Sequence, residues 1–334
     1  MLAVTQACLI IGDWGTSSLR LWAVAADGAV LAERRSDEGM AALAPGAFEA
    51  VLRGHLAGFG DVPGDVAAPL PVLLCGMVGA RQGWREAPYV AVPADVAAIC
   101  DRVLGVAAAG LDVRILPGLC VRGDPADAPA QAPVEAPVQA PVQADVMRGE
   151  ETQLLGVLQA EPGLSGTVVM PGTHSKWVRL RDGRVLGFET AMTGELYALL
   201  CRHSVLRHSV ADTQARGGPA ADAAFARGLA IGLEAPQRLA LSLFGVRAAG
   251  LLHDVGSEAA AAMLSGLLIG AEVGGAAPTG EVVLVAGGVL AERYGRALRL
   301  AGCRHRVVDA EAASRDGLLH VARRLWPERM EARE

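Results

Sequence analysis

The sequence predicts an α/β protein of two domains, and three observations carry that expectation. Short apolar runs of strand length alternate with longer helical patterns along the whole chain. Its 334 residues exceed what one hydrophobic core usually serves. A strand–tip–strand pattern with hydroxyl-rich tips also occurs twice, at 8–23 and at 168–178, once in each half of the chain. Hydrophobic residues make up 52% of the sequence but aromatics only 4%, so Ala, Val and Leu must build the cores.

The apolar run Cys8 to Ile11 reads as a buried strand, and the alternation Leu19, Leu21, Ala23 as its returning partner. Between them, Gly12-Asp13-Trp14-Gly15-Thr16-Ser17-Ser18 places a carboxylate, glycines and hydroxyls at a hairpin tip. Glycine lets backbone approach a ligand closely, and exposed N–H groups beside hydroxyls suit phosphate oxygens. The same residues also fill ordinary turns. Asp13 suits a hydrated Mg²⁺, which takes one or two carboxylates plus substrate phosphate.

A third strand over 29–35, a helix over 45–58 and an apolar strand over 71–75 follow. That strand runs through Gly76-Met77-Val78-Gly79 into the polar loop Arg81-Gln82-Gly83-Trp84-Arg85-Glu86. Open α/β sheets bind ligands at such strand ends, although solvated loops are polar too. A helix over 93–104 and a strand over 113–116 precede a segment at 123–143 that repeats Ala-Pro-Val-Gln/Glu. Proline this dense reads as a PPII-like or disordered excursion.

Asp145, Glu150 and Glu151 then stand ahead of an apolar-periodic helix. They are suited to the positive end of its dipole or to work as a general base. The second tip, Pro171-Gly172-Thr173-His174-Ser175-Lys176, lies between strands at 168–170 and 177–178, with another strand over 186–190. Helices are expected over 194–206, 220–243 and 257–271. A strand over 282–286 ends in Gly287-Gly288, with a helix over 289–300 behind it, a corner where a flat heterocycle meets backbone without a Cβ between them. A strand over 304–308 and a helix over 315–326 finish the chain.

Bulk chemistry excludes several classes. A net charge of −6 argues against nucleic-acid binding, whose footprint is basic. The six cysteines, at 8, 75, 100, 120, 201 and 303, have no C-x-x-C spacing and read as small hydrophobes in a reducing cytoplasm. No signal peptide and no membrane-spanning segment are expected. His203, His208 and His253 lack metal-ligand spacing. Of 30 basic residues one is Lys, Lys176 in the second tip, where a compact point charge differs in use from a planar fork.

Asp13-Trp-Gly-Thr16, Pro171-Gly-Thr-His-Ser-Lys176 and Ala286-Gly-Gly288 resemble the phosphate-1, phosphate-2 and adenosine motifs of the actin/hexokinase/sugar-kinase ATPase superfamily. Cys75-Gly-Met-Val-Gly79, Gly83-Trp-Arg-Glu-Ala-Pro-Tyr89, Asp145-Val-Met-Arg-Gly-Glu-Glu-Thr-Gln153 and Met192-Thr-Gly-Glu-Leu196 are similar to runs of the 2-dehydro-3-deoxygalactonokinases. The resemblance covers the chain except the Pro-rich segment. It implies two ribonuclease-H-like α/β domains of actin-like ATPase fold with an interdomain active-site cleft. The first, 1–158, would bind the sugar acid and the second, 159–334, the nucleotide.

The implied reaction moves the γ-phosphoryl of ATP to the 6-hydroxyl of 2-dehydro-3-deoxy-D-galactonate in galactonate breakdown. By the same resemblance Asp13 would organise Mg²⁺ through water, with Gly15, Thr16 and Ser17 touching phosphate from one side. Gly172, Thr173 and Ser175 would touch it from the other, Lys176 would stand near the β/γ-phosphates, and Gly287 and Gly288 would face adenosine. Glu150 is the preferred base and Asp145 the second candidate. Arg20, Arg81, Arg85 and Arg148 are candidates for the substrate carboxylate, which calls for a bidentate guanidinium. Gln82 adds a polar contact, and Trp14 and Trp84 either pack on the sugar acid or fill core space. Alternatives are a kinase of another 2-keto-3-deoxy sugar acid or sugar, or a non-catalytic regulator on the same fold. The partners expected are ATP and a small sugar acid, with homodimerisation left open.

Overall fold

The computed structural model describes residues 7–59, 69–122, 144–210 and 218–330. The Pro-rich segment at 123–143 lies outside them. Packing divides the chain into two compact units: Met1–Ser165 with Leu180–Gly187 and Ala310–Glu334, and Gly166–Arg179 with Phe188–Asp309.

In the first unit, β1 (Leu9–Trp14) and β2 (Leu19–Val24) form the expected hairpin, followed by β3 (Val30–Ser36), α1 (Phe48–Ala57) and β4 (Leu70–Cys75). Then come β5 (Tyr89–Ala91), α2 (Val96–Cys100), β6 (Leu104–Ala108), β7 (Leu111–Ile115), β8 (Gly118–Arg122), β9 (Ala144–Met147) and α3 (Glu150–Ala160). The main sheet has the order β3-β2-β1-β4-β7-β6. Strands β1, β4 and β7 run parallel, and β2 lies antiparallel to β1. The three parallel strands read as near-continuous apolar runs because both faces are covered. Their register sets Asp13 beside Cys75, so the first tip and the Gly76 turn leave the same end of the sheet. Trp14, Phe48, Leu52, Ile10 and Leu74 anchor the core, each worth about 1.5–3 kcal/mol in burial. A small sheet, β5-β8-β9, completes the unit's strands.

The second unit's elements are β10 (Gly166–Met170), β11 (Ser175–Arg181), β12 (Arg184–Ala191), α4 (Thr193–His203), α5 (Pro219–Glu234), α6 (Leu239–Leu252), α7 (Ser257–Ala276), β13 (Glu281–Val285), α8 (Gly288–Leu300) and β14 (Arg304–Val308). Its sheet has the order β12-β11-β10-β13-β14, with β10, β13 and β14 parallel. Its first four positions repeat the third-second-first-fourth order of the first sheet. Helices α5 and α7 cross closely on glycine: a Cβ on Gly266 or Gly270 would strike the carbonyls of Phe225 or Leu229. The last helices, α9 (Ala310–Leu325) and α10 (Pro327–Met330), belong to the first unit. Helix α9 crosses α3 through Gly317 and Gly156, where Cβ atoms would meet the carbonyls of Thr152 and Ala313.

Five local expectations need correction. The helix expected over 93–104 is only the five-residue α2, because Leu104 opens a strand paired with β7 around the Gly110 turn. The single helix expected over 220–243 breaks into α5 and α6 at Pro236, whose missing N–H and ring cannot continue a helix. Helix α9 starts five residues before Arg315, and α1 starts three residues after Pro45. Contrary to the reading of no spanning segment, α7 is long and apolar enough to cross a membrane by composition. Its apolar window is 67% buried, packed against α5 and α6 as a core helix.

Candidate functional site

At the first tip, the Gly15 N–H donates to the Ser18 carbonyl at 2.9 Å, closing a tight turn. Met40 and Ala41 donate to the carbonyls of Gly15 and Thr16, both at 2.9 Å, so the segment after β3 supports the tip from behind. This leaves the Thr16 and Ser17 hydroxyls exposed. The half-buried Asp13 has its pKa raised by desolvation, which Arg20 and the Cys75 thiol partly offset. Arg20 is itself engaged by Glu311 at 3.3 Å. Among the described residues no group of three or more His, Cys, Asp or Glu is placed to hold a metal ion. A single under-compensated carboxylate fits Mg²⁺, which relies on phosphate and water for most of its ligands.

Beside Asp13 the turn after β4 uses Gly76 at φ 88°, where a Cβ would lie 2.8 Å from the Trp14 carbonyl. Gly149, at φ 108°, faces Gly76 and is the N-cap residue of α3. Two carboxylates follow it in different environments. Glu150 is half-buried and accepts the Arg148 N–H at 3.2 Å. Glu151 is fully buried, accepting the Gly149 N–H at 2.7 Å and the Thr152 hydroxyl at 3.2 Å. Burial, then the charge of Glu150, push the Glu151 carboxyl up to about 8. Thr152 also bonds the Cys75 thiol, which bonds Asp13, so a buried polar chain links Glu151 to the tip.

Arg148 stacks on Tyr89 with its guanidinium carbon 4.3 Å from the ring centroid, and donates through Nη2 to the Ala87 carbonyl at 2.8 Å. Its Nε and Nη1 are buried without a hydrogen-bond partner. A guanidinium with unmatched N–H groups beside the 81–87 loop has donors left for an anionic ligand.

In the second unit, the tip at 171–174 is braced by the start of α4. The Glu195 N–H donates to the Thr173 carbonyl at 3.0 Å, and His174 meets Glu195 at 2.5 Å. Gly194 has no Cβ, which would otherwise lie 2.7 Å from the Thr173 Cα. Thr173 and His174 are exposed. The Gly287-Gly288 corner is exposed as well, with open space beside Gly288 at φ 52° and the Asp309 carboxylate near Gly287.

Comparison with known proteins decides what carries these features. Residues 13–321 match the family model for 2-keto-3-deoxy-galactonokinase. The chain belongs to that family. It is 47% identical over 323 residues to a Rhizobium meliloti (strain 1021) protein named as a probable 2-dehydro-3-deoxygalactonokinase, DgoK1, covering 94% of this chain and 96% of that one. It is 36% identical to the 2-dehydro-3-deoxygalactonokinase of Escherichia coli (strain K12), covering 93% and 96%. A crystal structure from Sinorhizobium meliloti, named for the same activity, superposes with a TM-score of 0.83 at 45% identity, covering 98% of both chains.

In this galactonokinase-family chain the fold brings Asp13, Cys75, Thr152 and Glu151 together and sets Gly149 against Gly76. Asp145 lies elsewhere, on β9 opposite Val121, and accepts the Val146 N–H. Trp14 is fully buried against Phe48, its Nε1 donating to the Glu38 carbonyl at 2.9 Å, so it fills the core and offers no face to a ligand. Trp84 stacks on Phe48 at 6.5 Å and remains half-exposed. Arg81, Gln82 and Arg85 are exposed, with Arg81 3.5 Å from Glu86.

Two second-tip residues point inward. Ser175 is fully buried and bonds Tyr294 at 3.0 Å; Lys176 is 5% exposed and donates to the Thr190 hydroxyl at 2.8 Å. Both begin β11, and the sheet covers them. Sequence reasoning missed Glu272, which receives Ser175. Its signal was available, as an acid in an otherwise apolar helix. Asp309 was also missed, and it had no local signal.

Proposed function

We propose that this chain transfers the γ-phosphoryl of ATP to the 6-hydroxyl of 2-dehydro-3-deoxy-D-galactonate, with Mg²⁺, on the ribonuclease-H-like architecture expected from the sequence. The observation that carries the reading is a family match running from Asp13 to beyond Gly288, through both hydroxyl-bearing tips and the glycine corner. The repeated strand order of the two sheets supports the architecture. A cytoplasmic setting is supported by six thiols, none of them in a disulfide.

Phosphoryl transfer needs positioning and charge neutralisation more than covalent chemistry. In this reading Thr16 and Ser17 donate to phosphate oxygens in the first unit, and Gly172 and Thr173 do so in the second. Gly287 and Gly288 admit the adenine ring against backbone. Asp13 would hold the hydrated Mg²⁺, which neutralises charge on the phosphates. Ser175 and Lys176 hold the second tip from beneath and do not touch the nucleotide.

Glu150 takes the proton from the 6-hydroxyl, being the more accessible of the adjacent pair. Glu151, neutral at pH 7 with a pKa of about 8, leaves no like charge beside it. Two neighbouring carboxylates in unlike environments commonly divide roles this way. The substrate carboxylate pairs with Arg148. The test is pure protein with Mg-ATP and a panel of sugar acids, following ADP release. Turnover greatest with 2-dehydro-3-deoxygalactonate supports the proposal, and release no higher than the acceptor-free rate refutes it.

A further inference from the structure

Helix α7 is apolar over nearly all of its twenty residues, yet it carries Glu272 near its C-terminal end. A carboxylate at such a place is costly unless donors satisfy it. Four do. The Tyr294 hydroxyl donates to Oε2 at 2.5 Å and the Ser175 hydroxyl to the same oxygen at 3.3 Å. Trp177 Nε1 donates to Oε1 at 2.8 Å, and the Thr193 hydroxyl completes the set. The Ser175 and Tyr294 oxygens also lie 3.0 Å apart, so the one Ser175 proton is shared between Oε2 and the Tyr294 oxygen, and the three oxygens form a triangle.

These donors belong to three different elements. Ser175 and Trp177 open β11 directly after the exposed tip at 172–174. Thr193 opens α4, whose next two residues brace Gly172 and Thr173. Tyr294 lies two turns into α8, the helix that begins at the glycine corner. A bond network of this kind holds its members in one arrangement when every polar group is satisfied.

We infer that Glu272 is a positioning residue for the nucleotide, fixing the phosphate-facing tip and the adenosine-facing corner in one mutual geometry. The inference rests on the kinase reading above. Removing the carboxylate releases Ser175 from below the tip and Tyr294 from α8 together, which lowers nucleotide affinity without touching the sugar-acid groups of the first unit. In Glu272→Gln one oxygen becomes an NH₂ group facing a donor, so either Trp177 or the Tyr294–Ser175 pair loses its acceptor.

The experiment compares full-length wild type, Glu272→Gln, Glu272→Asp and Tyr294→Phe, each first shown to melt cooperatively. Steady-state kinetics are run against ATP and against the sugar acid. For Glu272→Gln the expected result is a KM for ATP raised about tenfold, the scale of one hydrogen bond to a charged group, with the sugar-acid KM unchanged. Glu272→Asp recovers part of that loss. Adding Tyr294→Phe to Glu272→Gln costs less than the sum of the two, as expected for residues in one network. An unchanged KM for ATP in a folded Glu272→Gln, or equal rises in both KM values, overturns the inference. Should wild type show no turnover, the kinase reading fails, and titration with a fluorescent ADP analogue then decides this inference alone. Weaker binding by Glu272→Gln sustains it; equal binding, or no binding by wild type, overturns it.

Discussion

Glu151→Gln isolates the energetic cost of one buried carboxyl. The side chain is fully buried at the start of α3, its carboxyl held between the Gly149 N–H and the Thr152 hydroxyl. Desolvation raises its pKa from 4.5 to about 8. Between those values the folded state keeps a proton that the unfolded state releases, so stability is present in full below pH 4.5 and lost as pH rises toward 8. From these two pKa values the loss is ~1 kcal/mol at pH 5, ~3 at pH 6.5 and ~4 at pH 8. Glutamine has the same shape: its carbonyl accepts from Gly149 and its amide donates to Thr152. It has no proton to lose. The variant is therefore more stable than wild type at pH 8, and the gap closes as pH falls to 5.

Urea unfolding at the three pH values measures this. Trp14, Trp22, Trp84 and Trp326 report on the first unit, where Glu151 lies. A difference between the two proteins that stays constant from pH 5 to 8 would show that Glu151 titrates normally. The division of roles between Glu150 and Glu151 would then lose its physical basis.

Glu150→Gln should lower kcat by roughly 10²-fold or more and leave the KM for ATP nearly unchanged, the pattern of a lost general base; if Asp145→Asn does this instead, the base is Asp145. Arg148→Lys keeps the charge but loses the planar fork, so KM for the sugar acid should rise about tenfold in initial-rate assays while KM for ATP holds. Gly317→Ala drives a Cβ into the Thr152 carbonyl where α9 crosses α3 and should cost about 1–3 kcal/mol, read as a lower urea midpoint at unchanged m-value.

Most strands were legible because their signals are local. The alternation from Leu19 and the run from Val282 each predict an element within a residue of its observed bounds, and the apolar run from Cys8 finds the first strand, which continues three residues past Ile11 to Trp14. Periodicity also marked α4 and α7, although it ran on through Pro236, where proline chemistry should have ended the helix. The helix expected after Pro93 failed for the opposite reason. It ends at Cys100, and its last expected residue, Leu104, already opens β6, an Ala- and Val-rich stretch decided by the partner β7 rather than by propensity.

The chemistry of the site divides along the same line. Sequence by itself determined the family, the two hydroxyl-bearing tips, the Gly287-Gly288 corner and the carboxylates around the start of α3, because each is a short local run of residues. Only the tertiary structure decided which groups face outward. Thr16, Ser17 and Thr173 do, whereas Trp14, Ser175 and Lys176 are taken up by the packing around them. Only it separated Glu150 from Glu151, or gathered Ser175, Trp177, Thr193 and Tyr294 around Glu272. Turn chemistry acts over a few residues along the chain. Burial and hydrogen bonding depend on neighbours far along the chain, up to 119 residues away in the group around Glu272.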